Sequence, residues 1–411
     1  MPETPVIPRT LLTLAFLALA TLASPAAAEG TAIRVATFNA EDIRTADLLT
    51  GDNPRLKAIA EIIQRIRPNV LLLNEIAYDE PGVTDVPEGA PAGSNADRFV
   101  ERYLSVPQAP GLRPIRFDTF MRRSNTGLHS GHDLDRSGAV VNTYPPPPGA
   151  QPDGSPGRQT ADGRAYGGDS WGFGTFPGQY AMALLVDERL EILADDARTF
   201  RLMPWSYMPN AMLPMTAPEG DADPEPWFGA EAQGAVRLSS KSHWDVPIRL
   251  PSGAVIHALC AHPTPPAFDG PEGRNKRRNH DEIRFWADYL AGAAYVVDDT
   301  STAGGLVPAA HFVILGDLNA DPDEGSSLHD PIGLLLSSPR VRHDPAPTSD
   351  IEIEGLDPDD TARFRLRVDY VIPSTGLTPT RSGVWRQPPA DRPFPTDHFP
   401  VWVDLVVPDP G

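Results

Sequence analysis

Apolar and polar positions alternate through residues 33–39, which predicts a strand with one buried face. Residues 54–67 place Leu56, Ile59, Ile62, Ile63 and Ile66 at helical spacing between Pro54 and Pro68, so an amphipathic helix is expected there. The apolar burst at residues 70–73 ends in Asn74-Glu75, as a buried strand with a polar C-terminal tip does. A short helix over 95–104 and a strand over 117–122 follow. Between 124 and 179 the pattern dissolves into Gly, Pro and Asp, with Tyr144 followed by four prolines. It returns as a strand over 180–186 and dissolves again in a proline-rich stretch over 203–233. Residues 241–250 and 254–261, joined by Pro251-Ser252-Gly253, predict a hairpin. An amphipathic helix is expected over 279–293, a buried strand over 311–315, and final strands over 367–372 and 401–407.

Strands recur to the end with helices between them, and no shift in composition divides the chain. This predicts one α/β domain over residues 29–411, with two surface insertions at about 124–179 and 203–233 and no internal repeat. Residues 1–28 read as a secretory leader: Arg9 precedes an apolar run over 11–23, and Ala26-Ala27-Ala28 offers a cleavage site. That run is shorter than the ~20 residues a membrane span requires. The expectation is export, to the periplasm or the medium. Cys260 is the single cysteine, so no internal disulfide forms.

Composition narrows the picture. The 411 residues include 34 glycines and 47 prolines, yet 40% are hydrophobic and 8% aromatic, enough for a large core. Disorder, collagen and coiled coil are excluded. Lysine and arginine total 35 against 55 acidic residues, a net charge of −20, which argues against general adhesion to nucleic acid or anionic membrane. No exposed apolar hairpin or amphipathic anchor points to stable membrane association. The oligomeric state is left open.

Candidate chemistry lies at strand tips. Asn39, Glu75, His262, the Asp317/Asn319 pair and Asp397-His398 each stand at the end of a predicted strand or just before one. Asp369, inside Arg367-Val368-Asp369-Tyr370-Val371, is an acid amid strand residues and needs a partner if buried. Oxygen ligands of this kind suit a hard divalent cation, and the histidines can move protons near neutral pH.

Five segments, in order and widely separated, carry a resemblance: Ala-Thr-Phe-Asn-Ala-Glu-Asp from Ala36, Leu-Leu-Leu-Asn-Glu from Leu71, Gly-Asp-Leu-Asn-Ala-Asp-Pro from Gly316, Arg-Val-Asp-Tyr-Val from Arg367 and Thr-Asp-His-Phe-Pro-Val from Thr396. Together they resemble the signatures of the endonuclease/exonuclease/phosphatase superfamily, the deoxyribonuclease-I-like fold. The resemblance implies a four-layer α/β/β/α sandwich, two mixed sheets face to face with helices outside. It implies a phosphoric ester hydrolase using Mg²⁺ or Mn²⁺, with Ca²⁺ a further candidate. Glu75 is then the principal metal ligand with Asn39 beside it and Asp397 assisting. His398 is a general base or phosphate contact oriented by Asp369, Asp317 aligns or deprotonates water, Asn319 contacts a phosphate oxygen, and His262 contacts the phosphate or leaving oxygen.

Two departures bear on mechanism and substrate. His262 is followed by Pro263-Thr264-Pro265-Pro266, and residues 122–126 offer it no acid, which leaves it as a neutral donor. Arg274, Lys276, Arg277 and Arg278 precede the helix expected from Asn279, where cations are disfavoured unless an anion binds. Arg274, Arg277 and Arg278 are therefore candidate phosphate contacts, and Arg122 and Arg123 weaker ones. The alternative is a solvated basic loop balanced by Asp269, Glu272, Asp281 and Glu282, and Asp321 and Asp323 are expected to be solvated too. The stretch Trp171–Tyr180 is either a substrate wall or a loop packed on its own rings. One short basic cluster in an acidic body favours a small phosphorylated substrate over DNA or RNA. An extracellular nuclease and a non-catalytic phosphate-binding module are the alternatives.

Overall fold

The structure is a computed structural model describing residues 1–2, 30–216, 223–390 and 392–410. The leader expected over residues 1–28 lies outside the described residues apart from Met1 and Pro2, as do residues 217–222 of the second insertion. Along the chain the strands are β1 (Thr31–Ile43), β2 (Val70–Ile76), β3 (Phe117–Phe120), β4 (Met182–Asp187), β5 (Glu191–Ile192), β6 (Arg198–Thr199), β7 (His243–Arg249), β8 (Val255–Ala261), β9 (His311–Asp317), β10 (Asp369–Pro373), β11 (Thr378–Val384) and β12 (Val401–Val407). They form two open mixed sheets. One has the order β11-β12-β1-β2-β4-β3; the other has β10-β9-β8-β7-β5, with β6 also pairing β7. Among the described strands, only β1/β2 and β8/β9 pair in parallel.

Strand alternation builds the layers. Ala258 and Cys260 of β8 and Val313 and Leu315 of β9 turn inward, into one core with Val35, Leu73, Leu184 and Val403 of the other sheet. Their neighbours Leu259, Ala261, Phe312 and Ile314 turn outward, against Ile283, Phe285, Trp286 and Tyr289 of the helix Arg274–Leu290. On the far side, Leu56, Ile59 and Ile63 of the helix Pro54–Ile66 join the first core. That helix starts where Asn53 accepts the amides of Arg55 and Leu56 and ends at left-handed Arg67. The result is the four-layer α/β/β/α sandwich that the resemblance implies.

Several elements depart from the sequence expectation, three of them with a plain cause. The helix expected from Asn279 begins five residues earlier, at Arg274. Asp269 makes this possible by accepting the amides of Asn275 (2.6 Å) and Lys276 (2.9 Å), which puts a carboxylate at the positive helix start. The edge strand β11 was not expected, since Thr-Pro-Thr-Arg-Ser-Gly-Val mostly faces solvent and shows no apolar alternation. The helix Asp330–Leu336 is too short for its periodicity to stand out.

Candidate active site

Topology brings the tips together. Parallel β1 and β2 end side by side, with Asn39 opposite Asn74 and Glu75 next. Antiparallel β12 must begin where β1 ends, which delivers Asp397 and His398 to the same edge. In the other sheet Asp317 closes β9 directly opposite Asp369, the first residue of antiparallel β10. His262 follows β8, the parallel neighbour of β9.

The side chains then connect across the sheets. Asn39 Nδ2 donates to Glu75 Oε1 (3.1 Å) and Asp317 Oδ2 (3.0 Å), spanning the two sheets with one amide. Its Oδ1 accepts the Glu41 amide (3.0 Å). Asn39 thus presents its NH₂ to the two carboxylates and orients them. The Asp42 amide donates to Glu75 Oε2 (3.1 Å), and the Asn319 amide donates to Asp317 Oδ1 (2.9 Å). His398 Nδ1 bonds Asp369 Oδ2 at 2.8 Å, and its Nε2 faces Asp317 Oδ2 at 3.8 Å and Asp397 Oδ1 at 4.0 Å. His262 Nε2 lies 3.5 Å from Asp317 Oδ2 and 3.9 Å from Glu75 Oε1, and its buried Nδ1 has no partner. Asp397 alone among these acids is half-exposed. Glu41, Asp42, Glu75 and Asn319 all have left-handed backbone, with φ between 51° and 65°. Such geometry costs about 1–2 kcal/mol at a non-glycine residue, and its clustering marks a site where positioning outweighs stability.

Charge in the site is unbalanced. Burial raises the Glu75 carboxyl to about 7 despite the Asn39 hydrogen bond. Burial, with Asp369 adding repulsion, raises Asp317 to about 6 despite His398. Glu41 is lifted too, by burial and by the nearby Asp397. Carboxylates this close and this dry fit a hard divalent cation. Among the described residues, acidic and histidine ligand atoms converge within 4.8 Å in two groups, Asp317, Asp369 and His398 in the cleft and Asp133, Asp135 and Asp169 in the first insertion.

Within the basic cluster Arg278 is committed to structure, and Arg274 and Arg277 each place one side-chain donor on a carbonyl. Arg278 donates to the carbonyls of Trp171, Arg237, Leu238 and Ser239, Arg277 to that of Glu272, and Arg274 to that of Leu134. The anion that the helix start calls for is Asp269, within the chain. Asp281 and Glu282, taken as part of a solvated balance, are buried. Asp281 holds Trp205 Nε1 (2.6 Å), and Glu282 holds the amides of Ser240 and Thr264 (both 2.6 Å). Asp321 is also buried, where it caps the turn through Asp323 and receives the Arg367 amide. Asp369 bonds His398 instead of Arg365 or Arg367.

Sequence reasoning passed over Lys241. Its ammonium is buried and, among the described residues, bonds only the Pro263 carbonyl (3.2 Å), which leaves donors free. Burial pushes its pKa down against the pull of Glu282, Glu75 and Asp317. The signal available was five consecutive polar residues, Ser239 to His243, directly before a strand paired with the one that leads to His262. Lys241, Glu75 and His262 line a cavity of about 550 Å³ together with Tyr180 and with Phe173, Trp205 and Phe228, the last three contributed by the two insertions. Arg274 and Arg278 also border it, whereas Arg277 does not. The stretch Trp171–Tyr180 divides: Phe173 and Tyr180 face the cavity, while Trp171 packs on His132.

Comparison with known proteins gives a consistent result. The family model described as Endonuclease/Exonuclease/phosphatase family matches residues 36–398. No curated protein matches the chain. Among solved structures, an endonuclease/exonuclease/phosphatase from Beutenbergia cavernae is similar at 16% identity and TM-score 0.48, covering 92% of this chain and 72% of that one. The human Nocturnin catalytic domain with bound sulfate is similar at 14% and 0.42, over 91% and 93%. Truncated TDP2 from Caenorhabditis elegans is similar at 13% and 0.41, over 92% and 98%.

Proposed function

The chain belongs to the Endonuclease/Exonuclease/phosphatase family of phosphoester hydrolases, and on that premise we propose an exported, divalent-metal-dependent phosphoesterase acting on small phosphorylated substrates. The observation that carries the substrate reading is the cavity. At about 550 Å³, with aromatic walls and Lys241 and His262 beside Glu75, it suits a compact organic group esterified to phosphate. The leader composition of residues 1–28 supports export, with residues 29–411 acting as one unit.

Glu75, Asp317 and Asp397, with Glu41 next to Asp397, would hold Mg²⁺ or Mn²⁺, or Ca²⁺, whose charge would stabilise the non-bridging oxygens as negative charge develops there. The chain's own groups do the rest. Asp369 holds His398 with Nδ1–H toward the carboxylate, so Nε2 is the atom that takes or gives a proton. Asp317, lifted toward neutrality, stands beside Nε2 and orients water. Asn319, fixed through Pro263 and Asp317, offers a polar contact at the rim. Lys241 presents free N–H donors to the phosphate, and His262 stands beside the cavity wall as a neutral donor to the leaving oxygen.

The test is hydrolysis by purified mature chain with Mg²⁺, Mn²⁺ or Ca²⁺ of a bis-aryl phosphodiester, a phosphomonoester, plasmid DNA and RNA. Metal-dependent turnover of the small esters is expected. Plasmid nicking at low salt in preference to them overturns the small-substrate reading. Absence of turnover on every ester, with metal bound, favours a binding module instead.

A further inference from the structure

A pair of arginines next to the cavity wall has no role in the chemistry above. Arg201 Nη1 (3.4 Å) and Arg237 Nη1 both donate to the same oxygen, Oδ1 of buried Asn125. The Asn125 amide cannot turn away, because its NH₂ is held by the carbonyls of Arg201 (2.7 Å) and Ser239 (2.8 Å). Neither arginine forms an ion pair with any described residue. The nearby acids are occupied: Asp299 accepts the Arg201 and Leu202 amides and the Thr199 hydroxyl, and Glu80 is bridged to Arg123. Arg237 stacks over Trp171 at 4.9 Å, which fixes its plane. Two guanidinium forks thus converge on one neutral acceptor while most of their N–H groups remain open. Burial and mutual repulsion depress the Arg237 pKa to about 10, and burial lowers that of Arg201. Asp299 acts on both arginines and Glu80 on Arg201 only across space, so in a chain of net charge −20 this is a positive focus without a contact ion pair, its planar donors suited to phosphate.

The pair adjoins the reaction site. Arg237 and cavity-lining Lys241 are four residues apart, at most about 14 Å of extended chain. That segment is rigid: Arg278 clamps the carbonyls of Arg237, Leu238 and Ser239, and Asn125 binds the Lys241 carbonyl (2.9 Å).

We propose that Arg201 and Arg237 form an accessory anion site for a second phosphate of the substrate, one that is not cleaved. The proposal rests on the phosphoesterase reading and narrows its substrates to small molecules bearing at least two phosphate groups. Steady-state kinetics on the full chain would compare two nitrophenyl phosphodiesters of one nucleoside, alike except for a further phosphate on one sugar. The double variant Arg201→Gln/Arg237→Gln is expected to reduce the preference in kcat/KM for the bisphosphorylated ester about 10–100-fold, the range for losing charged hydrogen bonds. An unchanged preference overturns the proposal. Calorimetry with inorganic phosphate separates this from failure of the catalytic reading. Loss of one bound phosphate in the double variant upholds the site even if no ester is hydrolysed, and equal stoichiometry in parent and variant overturns it.

Discussion

The two walls of the cleft each present a histidine to Asp317, and they treat it in opposite ways. On the wall formed by β10 and the segment before β12, burial alone would deprotonate His398. Asp369, in direct contact, and Asp317 outweigh that and hold its pKa well above the ordinary value. On the wall formed by β8 and the segment before β7, burial drives His262 well below it, and the charges of Lys241 and His398 push the same way. One wall is rich in acid and stabilises an imidazolium; the other is backed by a buried ammonium and keeps its imidazole neutral. Position in the cleft therefore does not assign a histidine its role. The balance of burial against the surrounding charges does, and here those charges lie on different strands from the histidines they act on.

The largest effects should come from breaking the acidic wall. His398→Ala and Glu75→Gln are each expected to lose at least ~10²-fold in kcat, and Asp369→Asn a comparable factor, because the imidazole then loses its orienting acceptor. Near-parental kcat in a folded variant removes that residue from its role. On the opposite wall, Lys241→Met should lower kcat/KM about 10–100-fold and weaken inhibition by inorganic phosphate in parallel. The same variant should unfold at equal or higher temperature than the parent, since a buried ammonium with one carbonyl partner is a liability in the folded state. Loss of stability together with unaltered phosphate inhibition would make Lys241 a structural residue.

How much of this was legible beforehand depends on the kind of signal. Strand tips are short and local, so Asn39, Glu75, Asp317, Asp369 and His398 announce themselves as polar residues at the ends of apolar runs, and the fold brings all five together. Partners are not local. Arg278 looks like a phosphate ligand in sequence because its acceptors are carbonyls at Trp171 and Arg237 to Ser239, which no charge count reveals. Asp281 and Glu282 look solvated because their partners, Trp205 and the Ser240 amide, lie in distant segments. Lys241 was hidden for the converse reason: what marks it is that no carboxylate among the described residues pairs with it directly, and a sequence does not display missing contacts. The insertions were legible as breaks in pattern, but not as the source of the cavity's aromatic walls.

A third histidine supplies the control for the comparison, with the smallest expected effect. His243 is buried with neutral partners in direct contact: its Nδ1 meets the Ser239 hydroxyl, and its Nε2 lies 2.9 Å from the Glu282 carbonyl. Phe285 and Trp286 flank its ring at 4.6 and 5.1 Å between centroids. With neither the acid of one cleft wall nor the lysine of the other in contact, burial outweighs the opposing charge of Glu282 and lowers its pKa from 6.5 to about 4. The folded state then keeps His243 neutral while the unfolded chain takes up a proton below 6.5. Its contribution to stability is therefore complete above that pH and is lost as pH falls toward 4. Between neutrality and about pH 5.5 the loss from this one group should be about 1 kcal/mol. Urea unfolding across that range checks it: in His243→Gln the overall stability is lower, but its decline with acid should be shallower by that amount. Parallel declines in parent and variant would mean that His243 titrates normally in the fold, and that burial without a charged group in direct contact does not suffice to set a histidine's state here.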